Sequence, residues 1–141
     1  MKNAIEKRIM KIKIDELDKL ASEYVRKRAI QMAGGCERCL TPKYDIAKDN
    51  GSIFTAWKQL QCCHFYSRRR HSVRYDPDNL VGLCANCHSY FHSQPLEFVE
   101  FIKARLGEEK FAQLRLRAEG RGKIDRAAWV IYLKQLLKEV E

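Results

Sequence analysis

LQCCHFYSRRRHSVRYDPDNLVGLCANCHSYFH, residues 60–92, holds all four histidines of the chain, four of its six cysteines and four arginines. Such density fits either a structural metal knot or a metal-dependent reaction centre built beside one. Ligand spacing is the first guide. Cys36-Glu-Arg-Cys39 and Cys84-Ala-Asn-Cys87 are two C-x-x-C pairs, each able to present two thiolates to one ion through a tight turn. Four soft sulfur donors are the signature of structural zinc. The 44 residues between the pairs exceed the roughly 15 to 20 of a simple zinc ribbon, so a further unit is inserted there. A site of this kind clamps the turn before the insertion to the helix after it, and holds His64 near His88 and His92.

His88 and His92 are four residues apart in an expected helix, so both imidazoles project from one face and can share an ion. His64 ends an expected strand. Between Asp49 and Asp76 there is no acidic residue, while Lys58, Arg68, Arg69, Arg70 and Arg74 fall inside the gap. Together these are the ingredients of phosphodiester hydrolysis. A neutral histidine takes a proton from water, a divalent cation stabilises the phosphate and the leaving oxygen, and arginines neutralise the flanking backbone. Arg68, Arg69, Arg70 and Arg74 are expected to touch phosphates, a solvated loop being the alternative. His71 is expected to meet phosphate or solvent.

With 141 residues and a net charge of +9, the chain has the length of one domain and a field that favours an anionic partner, nucleic acid first. No apolar run approaches the ~18 residues that span a bilayer, and the N-terminus carries charges where a signal peptide needs an apolar core. An intracellular protein is expected, in which the cysteines serve as ligands or free thiols. Helical spacing of Leu17, Leu20, Ala21 and Tyr24, a cap at Asp15 and a stop at Gly34-Gly35 predict a helix over 15–33. Its Lys- and Arg-rich face is expected to be solvated. From Cys36 to Phe65 the β-formers Ile53, Phe54, Thr55, Trp57 and Leu60 and the turn Asp49-Asn50-Gly51 predict short antiparallel strands. Beyond the Asp76-Pro77-Asp78-Asn79 turn, helices are expected over 85–92, from Pro95 to Gly107, over 108–118, and after an Asp125 cap. Trp129, Leu133, Leu136 and Val140 are expected in the chain's own core, a homodimer surface being the other use.

The order C-x-x-C, His64 at a strand end, Asn79 in DPDNLVGLC, then C-x-x-C-His88 resembles the HNH endonucleases of the ββα-metal fold. More narrowly, QCCHFYSRRRHSVRYDPDNLVGLCANCHSYF followed by PLEFVEFIKARLGEEKF is similar to the phage NinG (Rap) recombination nucleases. The first resemblance covers about residues 36–92; the second reaches the C-terminus weakly. It implies an α+β protein with a small ββα-metal core and a four-cysteine zinc site. Residues 1–35 would be an N-terminal basic helix, 36–94 the nuclease core and 95–141 a C-terminal helical extension.

The same resemblance implies that His64 is the general base, that Asn79 supports the His64 loop or binds metal, and that His88 and His92 hold a catalytic ion, magnesium or manganese first. Many relatives have Asp where Cys63 stands. A thiolate is a poor magnesium ligand, so either Cys63 does not bind or the ion is Mn, Ni, Co or Zn. DNA, double-stranded or branched, is the implied partner, with a host cell infected or lysogenised by phage as the setting. A packaging-linked nicking nuclease is a variant of this reading. The non-enzymatic alternative is a two-zinc nucleic-acid-binding module, with Cys36, Cys39, Cys62 or Cys63 and His64 on one ion and Cys84, Cys87, His88 and His92 on the other.

Overall fold

The computed structural model describes residues 13–141, and the charged N-terminal stretch 1–12 read above lies outside them. Among these residues the fold is α+β, with five helices and two small antiparallel sheets. Helix α1 (Glu16–Ala33) begins at Asp15, whose carboxylate accepts from the Asp18 amide while the Asp18 carboxylate accepts from the Asp15 amide. This reciprocal box satisfies two amides that the first turn leaves without helical partners. Gly34, at φ 71°, ends the helix in the left-handed conformation that glycine adopts without a Cβ penalty.

Strands β1 (Ile46–Ala47) and β2 (Ile53–Phe54) form a hairpin around Asn50, whose side-chain oxygen accepts from the Ser52 amide at 2.9 Å. Trp57, expected in a strand, lies instead in a 3-10 turn over Ala56–Gln59, and Leu60 follows that turn. The reason is local hydrogen bonding. The Asp45 carboxylate takes the Ala56 amide at 2.8 Å, and the Gln59 amide donates to the Tyr44 and Phe54 carbonyls at 2.7 and 3.3 Å, pulling the chain back on itself. Side-chain bonds of this kind compete directly with a strand ladder.

Strands β3 (Gln61–His64) and β4 (Leu80–Leu83) pair antiparallel, Cys63 opposite Val81 and His64 opposite Leu80. Helix α2 (Ala85–Ser93) follows β4 directly, then α3 (Pro95–Leu106), α4 (Glu108–Ala118) and α5 (Arg126–Glu139). All four β4 residues are buried because α1 crosses one side of the strand. Gly82 permits this approach: a Cβ there would sit 2.7 Å from the Ala29 Cβ. One apolar cluster gathers Ala29, Leu60, Val81, Leu83, Phe91, Phe98 and Ile102 beneath α2 and α3. A second joins Leu17, Ala21 and Val25 of α1 to Tyr75, Leu80 and Leu133. Trp129 and Leu136 pack against that second cluster, so this face of α5 is spent within the chain. Among the described residues no helix is long and apolar enough to cross a membrane.

Candidate metal centres and the histidine cleft

Cys36 and Cys39 flank a tight turn in which the Leu40 amide donates to the Cys36 carbonyl at 3.0 Å, with Leu40 itself at φ 60°. Cys84 is the N-cap of α2, its sulfur accepting from the Cys87 amide at 3.5 Å. The four sulfurs converge to within 4.8 Å of one another. Cys39 Sγ and Cys84 Sγ are 3.8 Å apart, far beyond the ~2.05 Å of a disulfide and close to the edge, about 3.8 Å, of a tetrahedron with ~2.3 Å zinc–sulfur arms.

Burial pushes the Cys36 thiol up and the Cys87 thiol to about 12, while a hydrogen bond with the Thr41 hydroxyl draws Cys39 down to about 6. Four thiolates this close repel one another unless a cation sits among them, so the donor set fits a soft divalent ion. The Arg38 guanidinium donates to Cys87 Sγ at 3.4 Å and stacks on Tyr90, its carbon 3.8 Å from the ring centre. The cluster can bind a metal.

A second donor set is distinct from the first. Cys63 Sγ and one ring nitrogen each of His88 and His92 lie within 4.8 Å of one another. The two-residue repeat of β3 is responsible, because it turns Gln61 and Cys63 to the face covered by α2. His88 and His92, one turn apart on α2, stack with ring centres 4.9 Å apart. Gln61 Oε1 is 2.7 Å from His88 Nδ1, and an amide oxygen can only accept. The Nδ1 therefore carries the proton, leaving the Nε2 lone pair for a ligand. Burial, then His92 and Arg68, lower the affinity of His88 for a second proton, which favours the neutral, ligating form.

His64 is in neither set. Its Nε2 lies 3.1 Å from the Arg74 carbonyl oxygen, so Nε2 carries the proton and Nδ1 keeps its lone pair. Burial, with Arg68 adding repulsion, lowers its pKa to about 4, and the ring is neutral at physiological pH. Two clefts, of about 730 and 630 Å³, meet at Cys62, His64, Arg68 and His88, each of which lines both. His92 lines the second, and Trp57 and Arg26 the first. Desolvation pushes the Cys62 and Cys63 thiols both up to about 12, so each keeps its proton at neutral pH, and Cys63 would ligate only by giving up that proton to an incoming ion.

Asn79 has no exposed surface, and its amide pins the loop between the strands. Its Oδ1 accepts from the Tyr66 amide at 2.7 Å, and its Nδ2 donates to the Tyr66 and Val73 carbonyls at 3.0 and 3.1 Å. These three bonds tie Tyr66 and Val73, at the two ends of the loop, to one side chain. Asn79→Ala is expected to cost about 1 to 3 kcal/mol in urea unfolding, since it removes three bonds to the backbone, one of them fully buried.

Arg74 departs from its expected place on phosphate. It is 7% exposed and bound to Asp18, Nε to Oδ1 at 3.0 Å and the second nitrogen to Oδ2 at 2.5 Å, with a further bond to the Lys13 carbonyl at 2.8 Å. Nothing in its local sequence sets it apart from the three arginines of 68–70; the distant Asp18, with the Lys13 carbonyl, claims it. Arg68 faces the clefts, whereas Arg69 and Arg70 are exposed on the loop's other side. Gln61 was not foreseen as a site residue, although strand alternation puts it on the Cys63 face. The two-zinc partition of the non-enzymatic alternative is not formed among the described residues, because Cys84 and Cys87 side with Cys36 and Cys39. No protein-family model, curated protein or solved structure matches the chain.

Proposed function

We propose that the chain is a metal-dependent DNA endonuclease of the HNH kind, in which β3, β4 and α2 form the ββα-metal unit. The observation that carries this reading is the division of labour among the histidines. His64, neutral and with its Nδ1 free, opens into the clefts that His88 shares, while His88 and His92 join Cys63 as a separate donor set. That is the arrangement hydrolysis needs: a base beside a cation site and not part of it. The resemblance to phage NinG (Rap) nucleases makes branched recombination intermediates the substrates to try first.

In this mechanism the scissile phosphate lies between His64 and His88. His64 Nδ1 takes the proton of the attacking water, and the bond from Nε2 to the Arg74 carbonyl steadies the imidazolium that results. Arg68, on the wall common to both clefts, offsets phosphate charge. Cys63, His88 and His92 would hold a divalent ion, which when bound would supply Lewis-acid stabilisation of the phosphate and leaving oxygen. The four-cysteine cluster is assigned structural zinc.

The deciding experiment is cleavage of supercoiled plasmid and of a four-way junction with Mg, Mn, Ni, Co and Zn in turn, wild type against His64→Ala. Metal-dependent cutting lost with His64 supports the nuclease. Nicking of plasmid with no preference for the junction favours the packaging-linked variant. Tight DNA binding without cutting under any ion moves the assignment to a non-catalytic module carrying metal at both donor sets. Because a thiolate suits borderline ions, Co, Ni or Zn is expected to outperform Mg in the wild type. Cys63→Asp should reverse that order by about tenfold, read as initial rates across a metal series. An unchanged order removes Cys63 from the ligand set.

A further inference from the structure

We infer that Arg69, Arg70, His71 and Arg121 form a second phosphate-binding pocket, apart from the His64 cleft, that holds a backbone phosphate other than the one being cut. The inference rests on the nuclease reading for its ligand and on separate residues for its site. These four side chains line a hollow of about 320 Å³ between the loop after β3 and the Gly120–Gly122 turn joining α4 to α5. Its one carboxylate, Glu119, is exposed and engages Arg115 only at 4.0 Å, so three arginines outweigh it.

The floor of the hollow is built. Arg70 donates to the Ala118 carbonyl at 3.3 Å, covering the negative end of α4 that would otherwise repel an anion. Gly120 abuts Ser72: a Cβ there would sit 3.4 Å from the Ser72 Cβ and 3.0 Å from the Arg117 carbonyl oxygen. Ser72 Oγ is shielded from solvent and has no hydrogen-bond partner. His71 and Gly122 also line an adjoining hollow with Lys123 and Arg126, which extends the basic track away from the loop.

Position gives the pocket its role. Arg68 belongs to the clefts of His64 and His88, and Arg70 to the second hollow. Two residues of chain separate their Cα atoms by at most about 7 Å. One loop thus addresses two neighbouring places on a phosphate backbone, the first at the proposed reaction centre and the second beside it. Arginines that contact phosphates fix register and orientation without reading sequence.

The test is fluorescence anisotropy of a labelled DNA duplex with the full-length protein, no divalent cation added, across a salt series. Arg69→Ala/Arg121→Ala alters exposed side chains, and is expected to weaken binding about tenfold or more and to lower the slope of log affinity against log salt by roughly one to two. Lys134→Ala/Lys138→Ala removes the same charge from exposed positions on α5 and should leave both within twofold. Equal effects of the two pairs overturn the pocket, since bulk charge then explains everything. If the wild type binds no DNA, the nuclease reading fails, and the pocket is judged by amide NMR shifts of residues 120–122 on titration with inorganic phosphate. Saturable shifts lost in the Arg69→Ala/Arg121→Ala variant keep it; no shifts remove it.

Discussion

Removing the ion assigned to the four-cysteine cluster, by chelation or by Cys84→Ser/Cys87→Ser, is expected to unfold the middle of the chain. The strands there are too short to persist unaided: β1 and β2 have two residues each, and β3 and β4 four. Cys36 and Cys87 are themselves members of the apolar cluster with Leu83, Phe91, Phe98 and Ile102, so losing the tie also opens that cluster. Zinc contributes about 10 to 16 kcal/mol of apparent binding energy in small zinc modules, while whole domains are stable by only about 5 to 15 kcal/mol. The tie is comparable to everything else holding the region. Helices α1 and α5 pack through the other cluster and should keep part of the helical signal. Elemental analysis should find one tightly held zinc per chain, and circular dichroism with and without chelator should show the loss of a cooperative transition. A zinc-free preparation with an unchanged melting curve contradicts the assignment.

His64→Ala is expected to reduce cleavage about 10²- to 10⁴-fold, the range that a positioned general base contributes. Zinc content and second-metal affinity should stay near wild type, because His64 belongs to neither donor set. The combination matters more than the rate alone. Loss of a metal together with loss of activity would make His64 a ligand and dissolve the division of labour among the histidines. Activity within a few-fold of wild type would require another base, and among the described residues the imidazoles in the clefts besides His64 are the two in the metal donor set.

The helices and both C-x-x-C pairs are legible in the sequence because their determinants are local: a cap at Asp15, a stop at Gly34, Pro95 at a first turn, cysteines at fixed spacing. His88 with His92 follows from helical period alone. What escapes is set by residues far apart in the chain. Trp57 leaves its expected strand because Asp45 and Gln59 bind the backbone around it. Arg74 is indistinguishable by composition from Arg68, yet one is buried against α1 and the other lines the clefts. Cys63 is an ordinary core cysteine until α2 lays two imidazoles beside it. The pairing of the loop with the turn at 120–122 spans some 50 residues and has no periodic trace.

The bond from His64 to the Arg74 carbonyl gives the first helix a second influence on the proposed chemistry, beyond the cleft wall that Arg26 and Lys19 supply. Arg74 is locked by its side chain to Asp18 and to the Lys13 carbonyl, and its own carbonyl fixes which imidazole nitrogen bears hydrogen. The tautomer of the proposed base is thereby dictated by a segment some 50 positions upstream. Loosening the Arg74–Asp18 pair is accordingly a route to altering the proposed base without altering the imidazole itself.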